Sequence, residues 1–116
     1  MRAAVVAIAL LMASAARADD VSDRHIFMCL AAMGAATDSD DPRLAEDAHM
    51  GSVFWMGRID PAMSLDRITE LAAQASEAVN KNNMASTLDR CGEEINRVND
   101  EFGEAIRRLR AEGKAR

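Results

Sequence analysis

The sequence is poor in aromatic residues, cysteine and proline: its 116 residues include three Phe, one Trp and no Tyr, two Cys and two Pro. So little aromatic mass leaves few flat apolar walls of the kind a haem cavity needs, and it predicts an aliphatic core filled out by methionine. The two cysteines form neither C-x-x-C nor C-x-x-C-H, which excludes a thioredoxin-like dithiol and c-type haem attachment. Basic charge is in deficit, with 14 Lys and Arg against 19 Asp and Glu and a net charge of -5, and this argues against a phosphate-tracking nucleic-acid surface. A Ser/His/Asp signature, H-E-x-x-H and a phosphate-cradling Gly-rich loop are all missing, so no catalytic residue is assigned and no enzyme is expected.

What is present bounds the chain to one small domain, too short for two cores and, at 49% hydrophobic, too apolar for a disordered tail. Its start reads as a secretory signal. Met1-Arg2 supplies a positive charge, Ala3 to Ala13 an uncharged apolar run, and Ala16-Arg17-Ala18 an A-x-A cleavage site. The alternative, an N-terminal anchor, fits less well: the run is about half the ~20 residues a spanning helix needs, and Asp19-Asp20 follows it in place of a positive cluster. The expected division is a signal over 1–18 and one domain over 19–116. Loss of Arg2 and Arg17 takes the net charge from -5 to -7. The destination is then the periplasm or the exterior, with no integral membrane segment after cleavage.

An oxidising compartment makes pairing of Cys29 with Cys91 the expectation. Closing so long a loop is worth about 4 kcal/mol in the chain-entropy model.

Apolar spacing is helical throughout the mature chain, and no alternating β-branched run supports a strand. The first helix is expected to start at a Ser22 cap, to place Ile26, Phe27, Cys29, Leu30 and Met33 on one broad face, and to end at Gly34 and the polar run from Thr37 to Asp41. In the second, Asp41 caps and Pro42 takes the first helical position. Leu44, Ala45, Ala48, Val53 and Met56 follow, Gly51 permits close approach of a neighbour, and Asp60-Pro61 stops the segment. Ser64 caps the third, which carries Leu65, Ile68, Leu71, Ala72, Ala75 and Val79 and fails at Asn80-Lys81-Asn82-Asn83. The fourth is the most regular. Met84, Leu88, Cys91, Ile95, Val98, Phe102, Ala105 and Leu109 alternate steps of four and three, a heptad-like seam on a helix of about 25 residues. Because Cys91 lies in the seam and must meet Cys29, packing of the seam on the first helix is favoured over a coiled coil with a partner. The fold class is all-α: a four-helix up-down bundle, or a flattened irregular one, with a disulfide joining the first and last helices.

Candidate chemistry is sparse. His25 and Cys29 stand at metal-ligand spacing on one helical face, but a disulfide would take the thiol. His49 beside Met50, with Met28, Met33, Met56, Met63 and Met84, raises copper(I) or a His/Met haem as a distant alternative. These Met are scattered at core-like positions, so no metal site and no cofactor are assigned. Glu93-Glu94 and the acidic loop Asp38, Asp40 and Asp41 raise calcium or acid-base roles, but the loop lacks the Gly and distal Glu of an EF-hand, and these acids read as cap and solvated loop.

Two surfaces remain as candidates for a protein partner. Val53-Phe54-Trp55-Met56 is too apolar for one helix face, since consecutive positions are 100° apart. Either the run is wrapped on most sides, or Phe54 and Trp55 form a contact patch. Arg107, Arg108 and Arg110, with Lys114 and Arg116, form a basic end that suits a helix C-terminus or, alternatively, an arm for anionic lipid or an acidic partner.

In layout, a short signal, an all-helical mature chain, one long-range Cys pair and a charged last helix with Phe102 and a basic end resemble the periplasmic HdeA-type acid-stress chaperones. The layout is also similar to small exported helical proteins of Ala- and Arg-rich proteobacterial proteomes, a group that the Gly57-Arg58-Ile59 turn after an aromatic helix fits better. The first resemblance implies acid-triggered loosening and client binding. The reading taken forward is a non-enzymatic exported helical module that binds a protein or the envelope, with an acid-activated holdase as its rival.

Overall fold

A computed structural model describes residues 20–115, with side chains through Gly113. The expected signal over 1–18 lies outside the described residues, as do the side chain of Lys114 and the whole of Arg116. The described chain is helical over 20–36 (α1), then forms α2 (Pro42–Met56), α3 (Leu65–Ala78) and α4 (Met84–Ala115), and it contains no strand.

Capping explains most of the boundaries. The Asp41 carboxylate accepts from the Arg43 N–H at 3.0 Å and Pro42 follows at the first helical position. Ser64 Oγ accepts from the Arg67 N–H at 3.2 Å. Between α3 and α4 the asparagines close the turn on themselves: Asn80 Oδ1 accepts from Asn82 N–H, and Asn83 Oδ1 accepts from Asn80 N–H, both at 2.8 Å. Ser22, by contrast, is no cap. The chain is already helical at Asp20, whose carboxylate meets Arg24 one turn on at 3.2 Å and supports the turn that contains Ser22. Gly34 likewise does not end α1. The helix runs on to Ala36, and the Thr37 hydroxyl donates to the Gly34 carbonyl at 2.6 Å.

The helices alternate in direction. Cys29 and Cys91 are bonded, with Cα atoms 5.7 Å apart, so the disulfide joins the first and last helices. His25, one turn earlier on α1, meets Glu94, one turn later on α4, which makes the two helices antiparallel. On α2, Gly51 lies by Met33 and Trp55 by His25, which is again antiparallel to α1. Asp20 pairs with Arg67, and Met28 shares a groove with Leu71 and Ala75, so α3 runs parallel to α1. The hydrogen bond from Arg67 to Glu70, then that to Asp20, raise its guanidinium pKa above the ordinary value, with burial opposing them.

The core is built differently from the expectation. Its large members are Trp55, Phe27, Ile26, Met33 and Leu71 around the disulfide, with Ala32, Ala36, Ala48 and Ala75 between them. Of the described Met only Met33 is buried, while Met50 and Met56 are exposed. Trp55 fits because Ala48 and Gly51, seven and four residues earlier on the same face, are small. A Cβ on Gly51 would lie 2.8 Å from Met33 Sδ, so the expected close approach is real and its neighbour is α1. On α3 the buried stripe is narrow: Leu71 and Ala75 are inside, whereas Leu65 is 76% exposed and Ala72 is exposed too. Full burial of side chains such as Phe27 and Leu71 is worth about 1.5–3 kcal/mol each.

The second difference is in α4, which is 32 residues long against the expected 25 or so. Up to Val98 its seam is buried or half-buried, through Thr87, Leu88, Cys91 and Ile95. Beyond that, Phe102 is 67% and Leu109 62% exposed, and Ala105 is exposed between them. The expectation that the whole seam packs on the first helix is therefore corrected. Only its first half does.

Candidate contact surfaces and the ion cluster at the disulfide

The His25 and Cys29 pair becomes something other than a metal site. Cys29 is committed to Cys91, and His25 Nε2, 3.8 Å from Cys29 Sγ, donates to Glu94 Oε2 at 2.8 Å. The other Glu94 oxygen faces Arg58 Nη2 at 3.6 Å and Arg97 Nη2 at 4.0 Å. One carboxylate thus stands among three basic side chains from three segments of the chain. The antiparallel register brings His25 and Glu94 together once the disulfide is set: four residues before Cys29 and three after Cys91 are one turn away on facing helices. Sequence reasoning takes Glu94 for a solvated acid and gives Arg58 no partner; that register is the signal that could have joined Glu94 to His25.

The buried Trp55 lies against the His25 side of this cluster. The His25 ring stands edge-on to it, with centroids 5.3 Å apart at 89°, and Phe54 does the same at 5.2 Å and 84°. Arg58 covers the Phe54 ring at 5.5 Å. The Trp55 Nε1 is buried without a hydrogen-bond partner, a deficit of about 1–3 kcal/mol that the surrounding apolar contacts must offset.

The candidate patch Phe54 and Trp55 is accordingly corrected in part. Trp55, at 0% exposure, is core and offers nothing to a partner; Phe54 is half-buried. The exposed members of the run are Val53 and Met56. With Met50, Phe54, Met33 and Ile95, Val53 lines a shallow apolar groove between α2 and α4, bordered by Asn96 and Asn99.

The basic arm is partly neutralised from within. Arg107 Nη2 and Arg108 Nε reach the two oxygens of Glu104 at 2.9 and 3.3 Å, pairs one turn apart along the helix. Arg110 is exposed. The arm therefore presents a zwitterionic helix, not a uniform cationic surface for lipid.

Among the described residues, no three His, Cys, Asp or Glu side chains are grouped so as to hold a metal ion, and no helix is long and apolar enough to cross a membrane. His49 is exposed on α2. What fold and surface define is an all-α, disulfide-stapled four-helix domain whose last helix outruns its own core. In comparisons with known proteins, no family model, no curated protein and no solved structure matches the chain.

Proposed function

We propose that this chain is a non-enzymatic, exported protein-binding module, acting in the periplasm or outside the cell, whose contact element is the distal half of α4. The observation that carries the reading is the exposure of Phe102 and Leu109 on a face that, two to three turns earlier, packs into the core at Ile95 and Cys91. A helix loses nothing by ending where its packing ends. One that continues for four more turns with the same apolar period keeps an unburied stripe, and such a stripe is a recognition surface in the helix-against-helix mode. The disulfide supports an oxidising compartment and gives the arm a rigid base.

The test is site-specific photocrosslinking in cells that export the protein, with the probe at Phe102 and, as a control, at exposed Ala73 on α3. A discrete adduct at 102 that is absent at 73 is the expected result; equal labelling at both positions, or none, refutes the reading.

A second reading is favoured by the Glu94 cluster. Its single carboxylate is the one acid in contact with His25, Arg58 and Arg97, beside Trp55, the largest core side chain. A cluster so weighted toward basic groups next to the core is where an acid-activated holdase would loosen. Suppression of a client's aggregation at pH 2 to 3 but not at pH 7 supports it; no suppression at either pH removes it.

A further inference from the structure

Nothing within the described chain covers the arm, and the arm's own sequence is complementary to one partner. We infer that the distal half of α4 pairs with the same segment of a second copy of this chain, running antiparallel. The inference rests on the proposed contact role of the arm and names its partner.

Side-chain size gives the first argument. The stripe is Val98, half-buried at the edge of the core, then the exposed Phe102, Ala105 and Leu109, spaced by four, three and four, with the half-buried Ile106 beside it. In an antiparallel pair each apolar position meets its counterpart from the other end of the stripe. Phe102 then lies opposite Ala105 of the second copy and Val98 opposite Leu109, and the twofold axis repeats both matches. Large meets small at the centre. In a parallel pair Phe102 would face Phe102 and Ala105 would face Ala105, leaving a bulge beside a gap.

Charge gives the second, independent argument. The arm is acidic in its first part, at Asp100, Glu101 and Glu104, and basic in its last, at Arg107, Arg108 and Arg110. Antiparallel pairing lays the acidic part of one copy along the basic part of the other, and parallel pairing lays like on like. Glu101 and Arg108 immediately precede the apolar positions Phe102 and Leu109, the place from which flanking side chains reach across an antiparallel seam to each other. One register therefore gives both the size match and two symmetry-related Glu101–Arg108 pairs. The Arg108 bond to Glu104 is an exposed contact within one helix, worth little and easily exchanged.

The arm is short, about 25 Å at 1.5 Å per residue. An isolated helix of that length would be marginal in water, but this one extends a helix already nucleated and held by the core, so pairing does not bear the cost of starting it. A reversible, salt-sensitive dimer follows, not an obligate one.

Sedimentation equilibrium of the exported, disulfide-bonded chain between about 5 and 500 µM tests this, with Trp55 emission and circular dichroism verifying that each variant is folded. The expected result is a monomer–dimer equilibrium. Phe102→Glu should weaken it at least tenfold. Glu101→Arg and Arg108→Glu should each weaken it at least threefold by placing like charges together, and the double variant E101R/R108E should return to within about twofold of the parent. A parent that stays monomeric throughout overturns the inference, and so do single swaps without effect or a double swap that fails to recover. In those cases an adduct at Phe102 with a protein of different mass still upholds the contact arm with another partner. Absence of any adduct removes both.

Discussion

Removing the Cys29–Cys91 bond should bring this domain close to its folding limit, and the size of the loss can be worked out beforehand. The bond spans 62 positions, most of the described chain, and the entropy of closing such a loop is about 4 kcal/mol in the chain-entropy model. Both cysteines are essentially inaccessible, so replacing them with Ala also empties two sulfur-sized volumes, adding about 1 kcal/mol each. The sum, roughly 5–6 kcal/mol, compares with total stabilities of about 5–15 kcal/mol for natural domains. Trp55 makes the measurement direct, because it is the one Trp and is fully buried beside His25. Urea titration of the parent and of C29A/C91A, followed by Trp55 emission and by far-ultraviolet circular dichroism, should show the midpoint falling steeply while helix content at zero urea drops or barely holds. Treatment of the parent with dithiothreitol should reproduce most of the shift. A loss below about 1 kcal/mol would refute the account, since it would mean that α1 and α4 stay together without the bond and that the other core contacts suffice.

Further outcomes follow from single side chains. Leu71→Ala should cost about 2–5 kcal/mol in urea melts, whereas Leu65→Ala, on the same helix but exposed, should cost less than about 0.5 kcal/mol. Asp41→Ala and Ser64→Ala each remove a cap and should cost about 1 kcal/mol, with Asp41→Asn nearly neutral. Glu94→Gln should destabilise in the same melts by about 1 kcal/mol, discounted for partial exposure, because it leaves His25 and Arg58 without their carboxylate. A chain ended after Asp100 should keep its Trp55 emission and lose no more than about 1 kcal/mol in the same melts, because nothing in the core depends on the residues removed.

Much of this architecture is legible in the residues, and the illegible parts have definite causes. Asp41-Pro42 and Ser64 announce their helix starts because a cap is a local bond between a side chain and an amide two or three residues on. The disulfide is legible because two cysteines admit one pairing. Trp55 is harder: in a run of four apolar residues the period does not choose the inward one, and the choice is made by Ala48 and Gly51, whose smallness matters only after α1 has been placed against them. The Glu94 cluster depends on the register between α1 and α4. Periodicity likewise cannot distinguish a stripe buried by the same chain from one buried by another, so the seam reads continuously from Met84 to Leu109 although its internal partner ends near Val98. Ser22 has the side chain of a cap, but the helix is already under way at Asp20, so no free amide is left there for it to bond.

The position of Cys91 within α4 has a mechanical consequence. The staple sits seven residues from the helix start and 24 from Ala115, so α4 is a lever with a short loaded end and a long end of about 36 Å, of which roughly the last 25 Å lie beyond the core. A tilt of about 5° at this fulcrum, within what packed helices tolerate, carries the tip through about 3 Å. Whatever disturbs the contacts around the fulcrum, through the bond itself or through His25, Arg58 and Glu94, is therefore magnified where Phe102 and Leu109 meet their surroundings.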